Sequence, residues 1–144
     1  MDRQDTKLES EGAEFLALGQ LLVQRIPAYK TYTNMPGYDL VATNPATNRS
    51  ARIQVKSRWS TGAPGFLIKN FECEFVVVVK LNRGSKDGRG VVLPPEYYVL
   101  PVSVVRKAHR PGDWSKVFFK DIRDFGQYQD NWSLVREFLK DNRG

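Results

Sequence analysis

The sequence predicts a mixed α/β fold, a twisted β-sheet layered with helices. Three observations carry that expectation. An apolar periodicity of helical spacing opens the chain, short strand-like segments fill its middle, and a second helical pattern closes it. No internal repeat, low-complexity tract or linker interrupts residues 1–144, and 144 residues is the size of one domain, so a single domain is expected.

The elements follow in order. Thr6 and Glu9 form a capping-box pattern that opens a helix. Leu8, Phe15, Leu18, Leu22 and Ile26 then recur at helical spacing until Pro27 stops the run, and this apolar face is expected to pack on the sheet. Tyr29 to Thr33 reads as a short strand, Pro36-Gly37 as a turn, and Tyr38 to Ala42 as a strand. Asn44-Pro45 through Asn48 reads as a hairpin loop. From Arg49 to Trp59 the chain alternates: Ile53, Val55, Ser57 and Trp59 share one face, and Arg52, Gln54, Lys56 and Arg58 the other. Phe66 to Lys69 is a short strand, and Phe75 to Leu81 has the continuous apolar character of a buried central one. Asn82 to Gly90 is a polar, basic loop. Tyr97 to Val105 is expected as a strand interrupted or bounded by Pro101. A helix from about Asn131 to Lys140 closes the chain, with Trp132, Val135, Phe138 and Leu139 as its apolar contacts.

Composition narrows the class. Hydrophobic residues at 41% and aromatics at 12% exclude a disordered chain. Cys73 is the only cysteine, so no disulfide forms within one chain, which suits a reducing cytoplasm. The opening MDRQDTKLESEG lacks the apolar stretch of a signal peptide, and the longest apolar run, Phe75 to Val79, is far too short to span a membrane. A cytoplasmic chain with no membrane partner is expected.

The net charge of +6 is unevenly spread. Arg25, Lys30, Arg49, Arg52, Lys56, Arg58 and Lys69 stand against the single acid Asp39, and a second basic stretch runs from Lys80 to Arg110. Clustered positive charge is the footprint of a phosphate-backbone binder, and also of an ordinary solvated basic face. A lone acid inside a basic segment is where a metal site facing phosphate belongs.

Phosphodiester hydrolysis needs a divalent metal to polarise phosphate and activate water. Magnesium takes hard oxygen ligands, usually one or two carboxylates completed by water and substrate. A neighbouring lysine orients the water, helps to deprotonate it or offsets developing charge. Asp39 near a strand end, with Gln54 and Lys56 two residues apart on one face of the next strand, meets these needs.

Gly37-Tyr38-Asp39-Leu40 followed by Arg52-Ile53-Gln54-Val55-Lys56-Ser57 resembles the signature of the PD-(D/E)xK nuclease superfamily, closest in pattern to small intron-associated and resolvase-like endonucleases with glutamine at the middle position. The resemblance covers roughly residues 10 to 81. It implies a restriction-endonuclease-like fold, a mixed β-sheet flanked by helices, and magnesium-dependent cleavage of DNA, with manganese as a substitute ion. It further implies that Asp39, Gln54 and the Val55 carbonyl bind the metal and that Lys56 is the catalytic lysine. A supporting glutamate is implied on the first helix, where Ala13-Glu14-Phe15-Leu16 matches. That glutamate has two candidates: the motif favours Glu14, whereas Glu11 falls inside the apolar arc of the helical wheel. Lys30, Arg52, Ser57, Arg58 and Lys69 are candidate nucleic-acid contacts. Cutting both strands of a duplex needs two sites, which points to a homodimer or higher oligomer.

Each residue also has an ordinary reading. Asp39 is a turn-proximal aspartate, Gln54 a strand glutamine without a role, Lys56 a surface lysine, and either glutamate a helix-surface acid. Tyr32, Tyr38 and Trp59 are base-stacking candidates, or packing aromatics. His109, the only histidine, reads as a loop residue, and Cys73 as a small buried one. Two rival functions follow: a nucleic-acid-binding domain with the same fold and no useful catalysis, and a basic protein-interaction domain.

Overall fold

The computed structural model describes residues 6–31, 37–85 and 87–140. Helix α1 (Thr6–Val23) opens the fold, followed by strands β1 (Ala28–Lys30), β2 (Leu40–Asn44), β3 (Arg49–Arg58), β4 (Gly65–Leu67), β5 (Phe75–Lys80) and β6 (Glu96–Pro101). Helix α2 (Val102–Ala108), strand β7 (Lys116–Phe118) and helix α3 (Ser133–Phe138) complete it. The main sheet has the order β1-β2-β3-β5-β6, while β4 and β7 form a separate two-stranded ribbon. All pairs are antiparallel except β3 with β5, which run parallel.

Two cores lie on the two faces of this sheet. Ile53 of β3 and Val77 and Val79 of β5 pack with Ala13, Ala17 and Leu21 of α1 and with Trp132, Val135 and Leu139 of the α3 segment. Val76 and Val78 of β5 face the other way, among Phe66, Ile68, Leu100, Val105, Val117 and Ile122. Because β5 is covered on both sides, it reads as an unbroken apolar run rather than an alternation. The expected mixed α/β fold, a mixed sheet flanked by helices, is the fold observed.

Three elements depart from expectation. Helix α1 packs through Ala13, Ala17 and Leu21, whereas Leu8, Phe15 and Leu22 of the expected face are exposed. Small side chains let the helix lie close to the sheet, and the bulky arc is turned outward. Tyr97 to Val105 is not one strand: β6 ends at Pro101, which pairs with Phe75, the first residue of β5. Beyond it no strand remains to pair, and the valine-rich continuation coils into α2 instead. The β7 strand gave no sequence signal beyond a short apolar stretch. Smaller shifts affect the ends, with β1 beginning at Ala28, β2 at Leu40 and α3 at Ser133; Tyr32 to Pro36 lie outside the described residues. Among the described residues no helix is long and apolar enough to cross a membrane.

Candidate functional site

Asp39 sits in the bend immediately before β2 and is held from both sides. Its N–H donates to the Ile53 carbonyl at 2.8 Å, and its carbonyl accepts the Thr31 N–H and hydroxyl, each at 3.0 Å. Leu40 pairs with Ile53, so Asp39 stands opposite Gln54 where β2 and β3 part. There the carboxylate replaces a ladder rung, Oδ2 accepting the Val55 N–H at 2.8 Å. Backbone polar groups alternate in direction along a strand, so the Val55 carbonyl points to the same side, past the last rung of β2.

Gln54 is buried, and its amide is committed. Nε2 donates to the carbonyls of Gly37 at 3.1 Å and Asn70 at 2.9 Å. These bonds fix the orientation of the amide and leave Oε1 as its acceptor. Gly37 adopts φ +84, and a Cβ there would stand 2.4 Å from Asn70 Oδ1, so only glycine fits where these two loops meet Gln54.

Lys56 follows on the same face of β3 and is partly buried. Burial pulls its pKa below the usual lysine value, against the attraction of the Asp39 charge. Burial likewise raises the Asp39 carboxyl, against the Val55 N–H and the charges of Lys56 and Lys30. Two opposite charges thus share a poorly solvated corner.

Of the two candidate helix glutamates, Glu14 is the more enclosed. Its side chain is 17% exposed against 53% for Glu11, and both carboxylates meet Lys30 of β1. The Glu14 carboxyl is raised, first by burial, with a contribution from the Asp39 charge. Burial works to lower the Lys30 pKa, but hydrogen bonds with Glu14 and Glu11 hold it above the ordinary value.

Among the described residues no group of three or more His, Cys, Asp or Glu side chains could hold a metal ion. The donors that the resemblance implies are the Asp39 carboxylate, which meets the Val55 backbone at the bend, the Gln54 amide oxygen, the Val55 carbonyl and Glu14 of α1. Such a hard, weakly charged set fits magnesium, which keeps several waters and needs only one or two carboxylates.

The candidate phosphate contacts divide. The Lys30 side chain is 8% exposed, and its ammonium is tied to Glu11 and Glu14. Arg52 is bound to Glu74 through Nε at 3.2 Å and Nη2 at 2.7 Å, so its charge is already matched. Arg58 donates to the Gly65 carbonyl of β4. Ser57 is half-buried and Lys69 is exposed. A cleft of about 420 Å³ opens beside Val55, Lys56, Ser57 and Arg58, with Glu9 and Leu67 on its rim.

Sequence reasoning missed Glu9, Gly37 and Asn70. Glu9 was assigned to capping, yet it lines the cleft with Lys56, and its Oε1 is buried without a hydrogen-bond partner. Asn70 accepts the Glu72 N–H at 2.8 Å, an Asx-type turn legible in a sequence, but nothing there connects it to Gln54. Tyr38 lies near the Arg52 guanidinium and Trp59 packs on the α1 side core. His109 caps α2 against Phe71, and Cys73 is buried, with its thiol pushed up by burial.

No protein-family model matches the chain, and no curated protein matches it. Among solved structures the chain is similar to that of a bacterial homing endonuclease, I-Ssp6803I, at 20% identity and a TM-score of 0.61. The match covers 94% of each chain, so the two share a fold over nearly their whole length.

Proposed function

We propose that this protein is a metal-dependent DNA endonuclease of the PD-(D/E)xK type, in a D…QxK variant. The observation that supports it most is the placement of Asp39 and Lys56, two partly buried groups that feel each other's charge where β2 and β3 part, with Lys56 lining a cleft. The fold shared with a homing endonuclease points the same way. Asp39, Gln54, the Val55 carbonyl and Glu14 would hold magnesium or manganese. Such an ion, when bound, lowers the pKa of water and offsets charge on a phosphate. The chain's own groups do the rest. The Val55 N–H aims the Asp39 carboxylate, and Lys30 works against the rise that burial imposes on the Glu14 carboxyl. Lys56, with its lowered pKa, orients the attacking water and takes part in moving its proton.

The test is incubation with supercoiled plasmid, a four-way junction and single-stranded DNA, each with magnesium, manganese or EDTA. Cleavage that requires metal and falls at least about 100-fold in Lys56→Met is expected, the range typical of a lost general acid or base. One observation favours a second reading, a DNA-binding domain without catalysis: the Gln54 amide already serves the fold, and the donor set carries little charge. Salt-sensitive binding with no cleavage under any metal would select it.

A further inference from the structure

The β4–β7 ribbon has an inner and an outer face. Phe66 and Val117 pair and point into the core, so the neighbouring Leu67, Lys116 and Phe118 lie on the outer side. Three cations surround the Phe118 ring: Arg110 at 4.8 Å from its centroid, and Lys116 and Lys120 each at 5.7 Å. Arg110 is matched by Asp121, but among the described residues Lys116 and Lys120 make no ion pair. The outer face borders a cavity of about 270 Å³, and Arg58 and Leu67 line both this cavity and the cleft beside Lys56.

The turn that leads into β7 carries one side chain clear of the fold. Arg110 and Lys116 close it, the Arg110 N–H donating to the Lys116 carbonyl at 2.9 Å and the Lys116 N–H to the Asp113 carbonyl at 3.1 Å. From the end of β4, the Ile68 N–H donates to the Ser115 carbonyl at 3.0 Å. On this braced turn Trp114 is 81% exposed. Its φ is +55° and that of Ser115 is +58°, a left-handed pair that glycine or asparagine would adopt at lower cost. An indole held there adds nothing to the core and strains the backbone, which is the pattern of a side chain kept for contact with a partner.

We propose that this ribbon is a second nucleic-acid contact, in which Trp114 stacks on one unstacked base while Lys116 and Lys120 hold the phosphates beside it. An exposed aromatic ring among unpaired cations is the chemistry that takes a single-stranded segment, since base faces meet the ring and phosphates the charge. Inside an intact duplex both faces of a base are covered, and only the cations find partners. The surface runs on from the cleft through Arg58 and Leu67, so one strand can touch both. The substrate class that follows is DNA in which a base leaves its stack at little cost, as at a bulge, a mismatch or a single-stranded end. The inference rests on the DNA reading of the cleft for its partner, and not on catalysis.

The test is fluorescence anisotropy of labelled DNA with the full-length chain in EDTA, so that no cleavage intervenes. An intact duplex is compared with the same duplex carrying one unpaired adenine. The wild type should bind the bulged duplex about fivefold or more tightly than the intact one, the low end of what one stacked base contributes. Trp114→Ala should remove that preference while changing affinity for the intact duplex by about twofold or less, and Trp114→Phe should keep most of it, because a phenyl ring also stacks. Lys116→Ala/Lys120→Ala should weaken binding of both DNAs and lower the slope of log K against log salt by about 0.9 for each lost phosphate. The indole is exposed, so these variants should melt as the wild type does. Tryptophan emission gives a second measurement. Trp59 and Trp132 pack in the α1-side core, so quenching by bulged DNA should belong to Trp114 and vanish in Trp114→Phe. Equal affinity for the two duplexes, or a preference that survives Trp114→Ala, overturns the proposal and leaves the DNA reading standing. Failure to bind any DNA at modest salt overturns both.

Discussion

At Gln54 an amide does what a carboxylate cannot. Its Nε2 donates to two carbonyls, those of Gly37 and Asn70, and so joins the loop before Asp39 to the loop before β5. Gln54→Glu would aim a carboxylate oxygen at both acceptors in a buried setting. A destabilisation of about 2–3 kcal/mol is expected at neutral pH, read from urea unfolding without metal; an unchanged midpoint would refute this role. The substitution therefore should not convert the site into a stronger metal binder merely by restoring charge. Asp39 and Lys56 carry the opposite lesson. The Asp39 carboxyl is raised from 3.8, so the folded chain holds that proton more tightly than the unfolded one, and stability falls as pH rises through 3.8 towards the folded value. The Lys56 pKa lies below 10.5, so its ammonium costs stability at neutral pH and stability rises as pH climbs from the folded value towards 10.5. Removing one charge leaves the other buried and unmatched, but removing both relieves the corner. The double variant Asp39→Asn/Lys56→Met is expected to be about 1–2 kcal/mol more stable than either single variant, measured by thermal unfolding without metal.

The β2–β3 hairpin and the spacing of Asp39, Gln54 and Lys56 were legible because a strand's period of two is strict and one residue's slip would reverse every face. The Gly37 and Asn70 contacts to Gln54 were not, since they join loops distant in sequence. Helix α1 shows a different limit. Periodicity assigned its bulky apolar arc to the sheet, but Leu8, Phe15 and Leu22 are exposed and Ala13, Ala17 and Leu21 took the sheet instead. It also left Glu11 and Glu14 undecided; Lys30, on another element, meets both, and only their exposure separates them. Lys30 itself looked like a phosphate contact because those carboxylates lie on α1. Its ion pairs now define a prediction for the α1–β1 junction. Lys30→Met should cost about 1–3 kcal/mol near neutrality by leaving Glu14 without its cation. Lys30 titrates above 10.5, so its contribution is present below that value and fades as pH rises through the folded pKa. On the acid side the cost should shrink as Glu14 takes up a proton, above the usual 4.5. Melting temperatures of both proteins across that range would decide it, and a pH-independent difference would not fit.

Over the whole molecule, a net charge of +6 favours polyanions but does not say through which residues. Packing makes the distinction. Arg52 and Lys69 are both basic, both near the site in sequence, and both partly open to solvent, yet Arg52 holds Glu74 through a bidentate pair while Lys69 is exposed. A phosphate bound at Arg52 must compete with a carboxylate already in place, and the exchange releases little counterion. One bound at Lys69 displaces only ions and water. On the DNA-binding reading, Lys69→Ala should weaken duplex affinity in the absence of metal and lower the slope of log K against log salt by about 0.9, the increment for one phosphate contact on B-DNA. Arg52→Ala should leave that slope nearly unchanged and act instead on stability, by about 1 kcal/mol or less, because the lost pair is partly exposed. Titrations of both variants over a fourfold range of salt, beside their urea midpoints, separate the two roles. The opposite pattern, a lost salt slope at Arg52 and none at Lys69, would mean that DNA opens the Glu74 pair on binding and that the loop before β5 moves with it.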